Sequence, residues 1–155
     1  MTEFCRTIAR RRKKETMGVA VPFSLNSLIE DELRTLDIYS FFKKINKHVS
    51  LSPGLPPLQG YYSEWANAFL GLCQVLMRQM STLDNMEMSI QTFQENGDLA
   101  LRIGHNGKAL HLPLDREPTL NILRLLKKKY GVNVYVSGDS GFQTVTLKMA
   151  TSKMQ

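Results

Sequence analysis

Cysteine is scarce in this 155-residue chain, with only Cys5 and Cys73. Two residues so placed make neither a disulfide framework nor a metal-ligand spacing. Cys73 falls in an apolar helical stretch and reads as a buried small hydrophobe, which points to a reducing, cytoplasmic setting. Long apolar runs are also missing. None approaches the roughly 18–20 residues that cross a bilayer, and no apolar core follows the N-terminal charges as in a signal peptide. Internal repeats and low-complexity segments are absent, so one globular domain is the expectation at this length.

What is abundant is positive charge. The net charge is +6 and the sequence pI is about 9.4, which raises a basic nucleic-acid-binding module as one reading. The excess is concentrated in "RTIARRRKK" (Arg6 to Lys14) and in Lys127–Lys129. No aromatic side chains interleave with Arg6, Arg10, Arg11, Arg12, Lys13 and Lys14, so a base-stacking platform is not indicated. The first run reads as a basic helix end and a candidate homodimer contact. The second sits where a helix should finish, and cations there suit the helix dipole.

Residues 1–18 read as a basic helical stub or linker, residues 19–150 as the folded domain, and residues 151–155 as a frayed tail. After a short extended piece, "SLNSLIEDELRTLD" predicts a helix with cap candidates Ser24, Asn26 and Ser27 and acids near its start. "KINKHVSL" predicts a strand with Ile45, Lys47, Val49 and Leu51 on one side. A long helix runs from about Ser63, its cap candidate, to Met80, with Trp65, Phe69, Leu72 and Leu76 as its stripe. Asn96-Gly97 marks a hairpin, for which Ile90, Phe93, Leu99, Leu101 and Ile103 are core candidates. A helix starting at Pro118 and ending at Gly131 and a hairpin around Asp139 to Gly141 complete the order. Met77, Met80, Met86 and Met88 read as core filling. The order fits an α+β, two-layer sandwich with a mixed sheet and helices on one face.

These strings, in this order, resemble the ATP-binding domain of bacterial sensor histidine kinases, the Bergerat-type fold shared with gyrase and a heat-shock chaperone. "FSLNSLIEDEL", "LPPLQGYYSEWANAFLGLCQVLMRQM" and "TLNILRLLKKKYGVNVYVSGDSGFQTVTLKM" carry the resemblance, the last with a Gly-x-x-Thr at Gly141 and Thr144. It implies site positions that can be checked one at a time. Anchoring the long helix on Trp65 and Asn67 puts the family's magnesium-binding asparagine at Val75 and the asparagine one turn earlier at Gly71. Valine offers no oxygen to a hard cation, and a shifted register brings only Gln74 or Arg78. The Asp-x-Gly-x-Gly adenine box falls on "HNGKA". His105 stands for the aspartate, followed by Asn106, and Gly107 is retained while Ala109 replaces the second glycine. The glycine-rich phosphate turn falls on "PTLNI", with Thr119 and Asn121 and no glycine. "LHLPLDRE" is too short for the family's lid and alternates Leu110, Leu112 and Leu114 like an extra strand, so the lid is read as deleted.

The expectation is therefore a non-catalytic histidine kinase ATPase-like domain, an interaction or regulatory module of two-component signalling and phosphorelay. No cofactor is expected, with weak ATP or magnesium binding left open. The expected partner is a sensor kinase or response regulator. The alternatives are an ATP-binding kinase domain, or a phosphotransferase derived from one. None of His48, His105 and His111 reads as a phosphorylated or catalytic group.

Overall fold

The computed structural model describes residues 21–108, 121–139 and 141–150. Readings that fall on residues 1–18, on Ala109 to Leu120 or on the tail lie outside these residues. Phe23 and Leu58 form an antiparallel bridge. Helix α1 (Leu25–Leu36) then starts at Ser24, whose hydroxyl accepts the Ser27 N–H at 3.2 Å. Of the three cap candidates, Ser24 is the cap. Asn26 instead ties the helix to the sheet. Its amide donates to the Ser52 carbonyl at 2.7 Å and its oxygen accepts from Thr92 at 2.8 Å. The first turn of α1 holds no acid, which corrects the expected dipole role of Glu30, Asp31 and Glu32. Glu32 is instead buried and accepts the Tyr62 hydroxyl at 2.8 Å.

A four-residue helix α2 (Ser40–Lys43) follows and buries Phe42. Strand β1 (Asn46–Leu51) lies at a sheet edge. That position explains why Val49, expected on a core face, stays 46% exposed. Helix α3 (Tyr62–Met80) begins after Tyr61, which makes no side-chain cap bond, so Ser63 sits inside the first turn rather than capping it. Trp65, Phe69, Leu72 and Leu76 are all buried. A parallel β1–β2 pair needs a crossover connection, and α3 provides it.

Strands β2 (Glu87–Glu95) and β3 (Asp98–His105) form the hairpin through Asn96 and Gly97, both at positive φ (53° and 85°). These are the backbone values that make Asn-Gly a hairpin signal. Met88, Ile90 and Thr92 face the core. Phe93 points the other way, with the Arg102 guanidinium 4.7 Å from its ring centre, which corrects its placement in the core. Helix α4 (Asn121–Tyr130) carries Lys127, Lys128 and Lys129 in its last turn and ends at Gly131, at φ 70°. Strands β4 (Asn133–Asp139) and β5 (Phe142–Ala150) close the chain around Gly141 at φ 93°.

The sheet order is β1-β2-β3-β5-β4, with β1–β2 parallel and the other pairs antiparallel. One face gives Met88, Ile90, Leu99, Leu101, Ile103, Val145, Leu147 and Met149 to a single core shared with α1, α3 and α4. Met80 and Met86 join that core and Met77 packs against it. The opposite face carries polar residues such as Gln91, Arg102 and Lys148. Among the described residues no helix is long and apolar enough to cross a membrane.

Candidate functional site

Two elements carry most of the described candidate positions, α3 and the end of β3. His105 closes β3 on the core face and is fully buried. Its Nδ1 accepts the Gly107 N–H at 3.1 Å, which places the ring proton on Nε2, an atom with no hydrogen-bond partner among the described residues. Burial holds this imidazole below its ordinary pKa. It is therefore neutral at pH 7, with its acceptor already used within its own turn.

The residues after it are tied down on both sides. Asn106 accepts the Glu87 N–H at 2.9 Å and donates to the Asn85 carbonyl at 2.8 Å. The Lys108 N–H donates to the Gln79 carbonyl at the end of α3 at 3.1 Å. Neither Asn106 nor Gly107 has a positive φ. The glycine is needed for closeness instead: a Cβ there would lie 2.5 Å from the Gln79 carbonyl oxygen. The stretch is thus fastened to the end of α3 and to the start of β2.

Along α3, Val75 is 2% exposed and belongs to the apolar core. Gly71 lies on another side and lines a groove with Leu36, Tyr39 and Phe41. Gln74 and Arg78, the shifted-register candidates, line that same groove. The structure therefore does not gather Gly71, Gln74 and Arg78 with His105 around one pocket. Asn121 opens the described part of α4, and its side-chain oxygen accepts from Arg124. Ala109 and Thr119 lie outside the described residues. His48 is exposed on β1, as its polar-side placement predicts.

No protein-family model and no curated protein sequence matches the chain. Solved structures do. The catalytic domain of the histidine kinase ThkA superposes with a TM-score of 0.70 at 12% identity, over 85% of this chain and 95% of that one. The chain has the histidine kinase catalytic-domain fold. The Acinetobacter baumannii histidine kinase AdeS aligns with a TM-score of 0.68 at 13% identity, over 96% of this chain and 75% of that one. ThkA in complex with the response regulator protein TrrA gives 0.69 at 9% identity, over 96% and 48%.

The histidine kinase fold implies a magnesium nucleotide, and the two described positions to which the resemblance assigned its metal and adenine contacts hold Val75 and His105. Val75 presents only carbon. His105 presents no carboxylate, and its acceptor nitrogen is already bonded. Among the described residues no group of three His, Cys, Asp or Glu side chains could hold a metal ion. The sequence reading missed the buried polar pair of Glu32 and Tyr62. It also missed the contacts by which Tyr130 and Lys129 hold α4 to the start of α3. Nothing in helical spacing marks either one.

Proposed function

We propose that this chain is a non-catalytic histidine kinase ATPase-like module that acts through protein interaction or regulation in two-component signal transduction. The observation that carries this reading is His105. A neutral imidazole is buried at the adenine-box position, and its acceptor is bonded to the backbone two residues on. Adenine selection needs a free acceptor facing the base, and this ring offers none. Val75 supports the same conclusion from the metal side, because magnesium takes oxygen ligands.

A sensor kinase or a response regulator is the partner class this reading names. ThkA, whose catalytic domain shares the fold, is a histidine kinase seen in complex with a response regulator. No nucleotide or magnesium cofactor is required for the role.

The test is isothermal titration of the whole chain with magnesium-ATP up to millimolar concentration, beside incubation with labelled ATP. The expected result is no binding heat and no phosphoprotein. A micromolar dissociation constant would overturn the reading and return the chain to the ATP-binding kinases.

A further inference from the structure

Away from the adenine-box position, the outer side of α3 forms one wall of an open groove of about 510 Å³. That volume is within the roughly 300–1,000 Å³ usual for binding clefts. Leu36 from the end of α1, Tyr39 and Phe41 from the α2 segment, and Met77 from α3 give it an apolar floor and walls. Gly71 contributes no side chain to the groove. Beside the groove, Ile38 is 74% exposed and Tyr39 is 52% exposed. Adjacent large apolar side chains left this open mark an interaction surface more than solvent packing.

We infer that this groove docks a helix from a partner protein whose apolar stripe is bordered by acidic residues. The geometry supports a helix. Tyr39 lines the groove and is still 52% exposed, and its neighbour Ile38 is 74% exposed, so a helix laid along the groove would cover apolar surface that a small molecule would leave bare. Charge selects the kind of helix. Arg78 is the charged residue among those lining the groove, and on the segments 36–44 and 71–81 that carry the lining, the other exposed charged residues are Asp37, Lys43 and Lys44, so cations outnumber carboxylates there. The same sign argues against two nearer occupants. The basic run Arg10 to Lys14 of this chain would meet like charge, and so would a second copy of a chain with net charge +6.

This inference names the partner surface for the interaction role proposed above, and the two can fail separately. ATP binding would remove the non-catalytic role and leave the groove untouched. The probe is a synthetic helical peptide of roughly 18 residues, with leucines at i, i+3, i+4 and i+7 spacing and glutamates elsewhere. The control is the same peptide with lysines. Amide chemical shifts of the full chain are followed during titration. The glutamate peptide should bind more tightly than the lysine peptide by about tenfold or more, with shifts confined to residues 36–44 and 71–81. Ile38→Asp and Tyr39→Ala, both at exposed positions, should abolish those shifts without changing the far-UV spectrum. Lys43→Glu with Lys44→Glu should reverse the peptide preference. Equal affinity for both peptides, shifts centred elsewhere, or no binding would overturn the proposal. So would sedimentation showing a dimer that Ile38→Asp dissolves, since the occupant would then be a second copy.

Discussion

His105 carries the most consequence of any single residue. Its folded pKa lies below the ordinary 6.5 because burial disfavours the imidazolium. In the unfolded chain the ring regains that ordinary value, so on the acid side the unfolded state binds more protons. Its contribution to stability is therefore complete above the unfolded pKa and is lost as pH falls through 6.5 toward the folded value. Urea denaturation between about pH 7.5 and pH 5.5 should show stability falling with pH in the native chain. His105→Asn keeps an acceptor near the Gly107 N–H and removes the titration, so its profile should be flat across that window. Parallel profiles would assign the pH dependence to other groups. The sequence resemblance could set His105 at the family's aspartate position, because residue identity is visible in one dimension. Which side of the sheet the ring enters, and that its Nδ1 is already bonded, could not. Those facts depend on the pairing of Met88 with His105, which only the folded register sets.

At the scale of elements, α4 is held to the start of α3 by a cluster that spacing does not announce. Tyr130 packs against Trp65 with ring centres 5.2 Å apart, and its hydroxyl accepts the Tyr61 N–H at 3.3 Å. Lys129 pairs with Glu64 at 2.8 Å, an exposed contact expected to contribute little on its own. Gly60 makes the close approach possible. It sits at φ 123°, and a Cβ there would lie 2.5 Å from the Tyr130 hydroxyl. Gly60→Ala should therefore cost about 1–3 kcal/mol in urea denaturation. Tyr130→Phe, which removes only the hydroxyl, should cost about 1 kcal/mol. In a Tyr130→Ala background the Gly60→Ala penalty should shrink to its backbone part, a coupling that a double-mutant cycle measures. Additive costs would show that the ring and the glycine do not meet. The long elements were legible for a plain reason: α3 repeats its apolar stripe over five turns, and the β2–β3 turn spells Asn-Gly. The α2 helix was not, since four residues are too few for a period, and Phe42 is buried by what surrounds it. Phe93 was misplaced because an apolar residue next to an alternating run fits either face until the partner strand is known.

At the scale of the molecule, α3 decides whether the domain is one cooperative unit. It crosses between the parallel strands β1 and β2, and it packs against both α1 and α4. The helix-layer order and the mixed sheet follow from that central position, which the sequence indicated by making α3 the longest and most apolar helix among the described residues. Cys73 lies in the middle of α3, fully buried, and burial pushes its thiol up to about 12. A thiol in that state is neither accessible nor ionised, so it reacts only when the core opens. With Cys5 replaced by serine to leave one thiol, labelling with a thiol reagent should be negligible in buffer. As urea is added, its rate should rise in step with global unfolding, with the same dependence on denaturant. Labelling that is fast and insensitive to urea would mean α3 leaves the sheet by itself. In that case the layers around it would be separable units, and the single core assigned to α1, α3, α4 and the sheet would be wrong.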